Sequence, residues 1–123
     1  MQLKMSPLPK TWIFDLDGTL VTHNAYKTGE DVLLPGVLDF LKKIPPDDYI
    51  LIITGREKEA KEQTIKFLNK VGIRFNEIIF EMPLGERILI NDDKPSGLQT
   101  SFAVRLKRNE GLENLDVVID ENL

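Results

Sequence analysis

Two carboxylates one residue apart close a short apolar run. Trp12-Ile13-Phe14 is followed by Asp15-Leu16-Asp17 and then by Gly18-Thr19. A strand interior does not tolerate an unpaired carboxylate, so the run must stop at Asp15 and the acids must emerge at its C-terminal edge. Gly18 lets the chain turn sharply, and Thr19 brings a hydroxyl and a backbone N–H. Aspartates placed in this way can hold a hard cation, attack an electrophile or move a proton. The plainer reading is an ordinary strand that ends in an Asp-Gly turn. The pattern D-x-D-G also opens calcium loops, but those demand further oxygen ligands and a Glu at fixed spacing. Leu20-Val21 follow here instead.

Two further clusters repeat the arrangement. Tyr49 to Ile53 is an apolar run that ends in Thr54-Gly55-Arg56, and Ile88 to Ile90 ends in Asn91-Asp92-Asp93-Lys94. Each has a plain explanation of its own, a Thr-Gly turn in one case and an acidic loop in the other. Their shared position at the ends of apolar runs carries more weight than either alone.

The elements that must position these residues follow from pattern. Residues 1–10 read as a loose lead-in and 11–15 as the first strand. Residues 21–34 are polar and turn-rich and read as a flap, a loop or small hairpin. Pro35-Gly36 opens a helix through about Ile44, with Val37, Leu41 and Ile44 on one face, and Pro45-Pro46 ends it. Tyr49–Ile53 is the second strand. A helix spans about 57–71, with Ala60, Thr64, Phe67, Leu68 and Val71 on its inner face and Gly72 as its stop. Further strands are predicted at 78–80, 88–90 and 102–106, with a short edge strand at 116–119. Strands that alternate with helices predict an α/β protein, a Rossmann-like parallel sheet of about five strands with flanking helices and right-handed crossovers. Ligands of such sheets sit at the C-terminal strand edges. That placement would make Asp15, Asp17, Thr54, Asp92 and Asp93 neighbours in space.

Composition narrows the chemistry. At 123 residues the chain is expected to form a single domain, 1–123. It has no cysteine, which excludes disulfides, thiolate zinc sites and cysteine nucleophiles. Its net charge of −4 is spread among interspersed acids and bases, so neither a nucleic-acid nor a membrane partner is expected. No apolar run approaches the roughly 20 residues that span a bilayer. Residues 1–10 lack the apolar stretch of a secretory signal, and a cytoplasmic location is the resulting expectation. The one histidine, His23, argues against a histidine-rich metal site, and a metal would then be a hard cation on carboxylates, Mg²⁺ first.

The segment Asp15-Leu16-Asp17-Gly18-Thr19 resembles the DxDGT motif of the haloacid-dehalogenase-like (HAD) superfamily, whose phosphatases work through a phospho-aspartate. Ile52-Ile53-Thr54 is similar to that family's second motif, and Asp92-Asp93 to its fourth. The resemblance covers about residues 11–106. It implies that Asp15 is the nucleophile, that Asp17 is the acid and base, and that Thr54, helped by Gly55, binds a phosphoryl oxygen. It also implies that Asp15, the Asp17 carbonyl and Asp92 hold Mg²⁺. The substrate class it implies is a small phosphomonoester such as a sugar phosphate, and short domains of this kind also resemble those associated with surface-polysaccharide metabolism.

Two departures from the family pattern matter. Only residues 21–34 are available for a cap, enough for a flap but not for a lid domain. The resulting site would be open, its flap mobile, unless a second subunit covers it. The family's third-motif lysine also has no counterpart ahead of the fourth predicted strand. Lys94, beside Asp93, is the expected substitute, paired with Asp15 or the phosphoryl group. Arg56 either binds substrate or is a solvated arginine at a helix start. His23 either touches substrate or is solvated, and the basic run Arg105-Leu106-Lys107-Arg108 either attracts an anion or is a solvated edge. Two other classes stay in view. A receiver-like phospho-acceptor domain would place its acidic pair near the first strand and its acceptor on the third, the reverse of this order. A non-catalytic HAD-fold binding module would use the same surface to hold a partner.

Overall fold

The computed structural model describes residues 1–123 and is a small α/β protein with parallel strands in two sheets. The strands are β1 (Gln2–Met5), β2 (Thr11–Asp15), β3 (Tyr49–Ile53), β4 (Glu77–Ile79) and β5 (Asp116–Ile119), and the α-helices are α1 (Val37–Lys42) and α2 (Lys61–Lys70). β2, β3 and β4 form the larger sheet in that order, all parallel. Parallel neighbours need long crossovers; α1 lies on the first and α2 on the second.

The register pairs Trp12 with Ile50, Phe14 with Ile52 and Asp15 with Ile53. Both strands therefore run out together, and Asp15 and Thr54 arrive at the same edge. The apolar side chains behind them meet those of the helices. Phe14, Ile50 and Ile52 share one buried cluster with Val37 and Leu41 of α1 and Leu68 of α2. Trp12 stacks on Phe14 with ring centroids 6.2 Å apart, and Phe40 meets both edge-on at 5.7 and 6.3 Å. Full burial of one such side chain is worth about 1.5–3 kcal/mol, so this cluster holds the strand ends in place.

Several expectations are corrected. The sheet is not one of five strands. Residues 88–90 and 102–106 form no strand. Ile88 and Ile90 stand 82% and 91% exposed, and an apolar run becomes a strand only when a neighbour takes its hydrogen bonds and covers its side chains. β2 consequently keeps an unpaired edge. Residues 1–10 are not a loose lead-in, because β1 pairs in parallel with β5, Gln2 opposite Asp116 and Met5 opposite Ile119. The Met1 amino group also donates to the Asn114 carbonyl at 2.7 Å. The first helix starts at Val37 rather than Pro35, because Gly36 takes a left-handed φ of 76° just before it. The second begins with a 3₁₀ turn, Lys58–Ala60, ahead of α2. No helix is long and apolar enough to cross a membrane.

Candidate functional site at the sheet edge

Beyond Asp15 the backbone folds into a tight loop. The Leu16 carbonyl accepts from the N–H groups of Thr19, Leu20 and Val21, and the Gly18 N–H donates to the Val21 carbonyl at 2.7 Å. Gly18 turns the loop with a φ of 83°, a conformation that glycine adopts without strain. Leu20 and Val21 are buried and anchor the loop in the core. The two aspartates thereby reach different surroundings although one residue separates them.

Asp15 is open. Its side chain is 38% exposed, and Arg87 lies 3.6 Å from Oδ1. Thr19 Oγ1 donates to Oδ2 at 3.3 Å. One oxygen is thus tethered by a hydroxyl, and the other faces a cation.

Asp17 is held tightly. Arg56 Nε donates to its Oδ2 at 3.0 Å and Nη2 to its Oδ1 at 2.9 Å. The Asn24 N–H adds a longer bond to Oδ1 at 3.4 Å. The same guanidinium grips a second carboxylate, Asp31, through Nη2 to Oδ1 at 2.7 Å and Nη1 to Oδ2 at 3.0 Å. Nη1 also donates to Thr64 Oγ1 at 2.9 Å, and the Tyr26 ring covers the guanidinium at 3.8 Å. Arg56 is buried. Burial by itself pulls a guanidinium down, but the hydrogen bonds and charges of Asp17 and Asp31 outweigh it and hold Arg56 above its ordinary value. An arginine has five N–H donors, and each has an acceptor here, so none is left over for a substrate.

Thr54 is buried at the end of β3. Its hydroxyl accepts from the Arg56 N–H at 3.1 Å and so fixes the turn. Residues 81–84 lie over that turn, with the Glu81 N–H on the Arg56 carbonyl and the Met82 N–H on the Thr54 carbonyl. A Cβ on Gly55 would meet Leu84 Cδ2 at 2.6 Å, so a larger residue there would push the exposed Leu84 side chain aside.

The remaining predicted residues do not join this group. Asp92, Asp93 and Lys94 are exposed. The Lys94 N–H donates to the Leu98 carbonyl and its carbonyl accepts from Gly97 in a local turn. The Asp92 carbonyl accepts from the Thr100 hydroxyl. The cation beside Asp15 is Arg87, not Lys94. For Mg²⁺ the fit is incomplete. No three or more His, Cys, Asp or Glu gather closely enough to hold a metal ion: Asp92 does not join Asp15, and the Asp17 carboxylate, as distinct from its backbone carbonyl, is taken up by Arg56.

The flap is docked rather than loose. The Thr22 N–H reaches the Val32 carbonyl, and the Leu34 N–H the Leu20 carbonyl. The His23 N–H donates to Asn109 Oδ1 at 2.8 Å, while the His23 Nδ1 is buried without a partner. Arg108, from the basic run, packs its side chain against Gly18. Neither Arg87 nor Asp31 was singled out in the sequence: the cation was expected from Lys94, and a lone flap aspartate reads as solvated. A cleft of about 420 Å³ opens at the opposite end of β2, lined by Trp12, Phe40, Asp48 and Leu112, and none of the predicted site residues faces it. No family model, curated protein or solved structure matches the chain.

Proposed function

We propose that the chain is a HAD-like phosphomonoester hydrolase that acts through an aspartyl-phosphate on Asp15. The observation that carries this reading is the contrast between the two aspartates. Asp15 is open at the end of β2, with one oxygen on Thr19 and the other beside Arg87. Asp17, two residues on, is enclosed and oriented. An exposed carboxylate suits attack on phosphorus, and an oriented one suits proton transfer.

In the first step an Asp15 oxygen forms a bond to phosphorus, and the ester P–O bond breaks. The leaving alkoxide takes a proton from Asp17. In the second step water attacks the phosphorus and gives a proton to Asp17 while the Asp15 O–P bond breaks, which releases inorganic phosphate and restores the Asp15 carboxylate. Arg87, at the edge where the phosphoryl oxygens would lie, offsets their charge in place of the lysine the family pattern supplies. Mg²⁺ is the ion the resemblance implies. Asp15 and Asp17 stand at the edge where it would sit, and Asp92 does not join them there.

The open edge suits a small phosphorylated metabolite such as a sugar phosphate, and it has room for a bulkier ester. The test is a panel of phosphomonoesters, assayed with and without Mg²⁺, on the wild type and on Asp15→Asn. Turnover by the wild type and its loss in the variant are expected. A second reading, a non-catalytic HAD-like binding module, draws support from the separation of Asp92 and Lys94 from Asp15. It predicts no turnover of any ester by the wild type.

A further inference from the structure

The network around Arg56 joins three parts of the chain that sequence separates. Asp17 comes from the loop after β2, Arg56 from the turn after β3, and Asp31 with Tyr26 from the flap. All five guanidinium donors are used, four of them on the two carboxylates. The side chains of Arg56 and Asp31 are 1% and 2% exposed. A buried charge is costly unless it is paired and hydrogen-bonded, so the arrangement stands or falls as a unit. Two carboxylates share one arginine, and the flap carboxylate thus helps decide where the guanidinium sits.

The two oxygens of Asp17 differ. Oδ1 accepts from Arg56 Nη2 and from the Asn24 N–H. Oδ2 accepts from Arg56 Nε alone. A carboxylate oxygen has two lone-pair sites, so Oδ2 keeps one free and Oδ1 does not. Arg56 in turn cannot rotate to expose Oδ1 without breaking its bonds to Asp31 and Thr64.

Resting on the phosphatase reading, we propose that Arg56 is a positioning residue that presents Asp17 Oδ2 as the proton-transferring oxygen, and that the flap, through Asp31, sets the position of Arg56. The flap then serves proton transfer to the leaving group, beyond covering the site. A lysine at position 56 keeps the charge but not the fork that grips two carboxylates at once. Asparagine at position 31 keeps the shape but removes the charge that holds the second half of that fork.

The test compares two phosphomonoesters on the full chain. The 4-nitrophenyl ester has a leaving group that departs without a proton, whereas the glycerol ester needs one. In Asp31→Asn and Arg56→Lys, kcat/KM, which reports the first cleavage and excludes the second step that both esters share, should fall at least tenfold for the glycerol ester and less than threefold for the nitrophenyl ester. Equal losses on both esters would mean a merely structural role and overturn the proposal. Inactivity of the wild type on both esters would overturn the phosphatase reading itself. A second measurement needs no turnover and covers the case where Arg56→Lys does not fold. Asp17→Asn, a change outside the flap, should speed amide hydrogen exchange over residues 24–31 at least tenfold. Unchanged exchange there would overturn the link between Asp17 and the flap.

Discussion

Residues 21–34 and residues 82–106 border the same edge of the sheet and are held in opposite ways. The flap is short and polar, yet a buried ion pair, a stacked tyrosine and backbone bonds to the loop after β2 fix it. The second segment is longer and carries Leu84, Ile88, Leu89 and Ile90, all exposed. It touches the site through Leu84 over Gly55 and Arg87 beside Asp15. Apolar content does not by itself order a segment, and polarity does not by itself loosen one. What counts is whether each group finds a partner whose own position is fixed.

The largest expected effect lies in the flap's anchor. Arg56→Met leaves the buried Asp31 and the partly buried Asp17 without their cation, and loss of one partner of a buried pair costs about 3–5 kcal/mol. Urea unfolding of the full chain should show a loss of that size, and a loss under 1 kcal/mol would mean that water reaches the network. Thr64→Val removes one acceptor from the same guanidinium. An unsatisfied buried donor costs about 1–3 kcal/mol, which a lowered thermal midpoint should report without loss of the fold.

The second segment should respond differently. Ile88→Ser and Ile90→Ser should each change stability by no more than about 0.5 kcal/mol, as surface substitutions usually do. A loss of about 2–5 kcal/mol, the cost of truncating a buried isoleucine, would break the comparison and place that segment in a core.

The smallest effects concern exposed groups and pH. The ion pair of Lys70 with Glu30, 2.8 Å long, lies on the surface. Surface pairs contribute little, so Glu30→Gln should leave both stability and flap exchange unchanged. Tyr26 is different, because burial first, and then the nearby Glu57 and Asp17 carboxylates, raise its phenol above the ordinary value of 10.0. A group raised on folding contributes stability that is present below its unfolded value and is lost as pH rises through the folded one. Arg56 is raised as well, so it stays charged throughout this range. The flap should therefore loosen only above about pH 10, and Tyr26→Phe should remove that alkaline step in hydrogen exchange.

Sequence pattern reached the parts of the fold that depend on local order. Thr11–Asp15 and Tyr49–Ile53 were legible because each is an unbroken apolar run stopped by a polar residue at its end. Asp116–Ile119 was legible as a strand, but its partner was not. Gln2-Leu3-Lys4-Met5 alternates polar and apolar, a period-two signal that Pro7 and Pro9 obscured by making the segment look like a lead-in. Residues 88–90 and 102–106 have strand-like composition, yet a strand needs a neighbour, which composition does not supply. In the candidate site, Asp15, Asp17 and Thr54 reach one sheet edge as their spacing predicts, because each lies at or just past the end of an apolar strand. The Arg56–Asp31 pair was not legible. Arginine is rarely buried, and the two residues are joined only by the way the flap folds back across β3. Arg87 in place of Lys94 has the same cause, because the predicted strand at 88–90 would have carried Lys94 to Asp15.

The proposed function requires that Asp15 become phosphorylated during turnover. The most direct test mixes stoichiometric enzyme with a turned-over phosphomonoester, quenches in acid within the first turnover, and maps phosphate on peptides by mass spectrometry. An acid-stable, hydroxylamine-sensitive phosphate is expected on the peptide that contains Asp15, and none in Asp15→Asn. Rapid turnover with no phosphate at Asp15, or phosphate trapped on another residue, would contradict it.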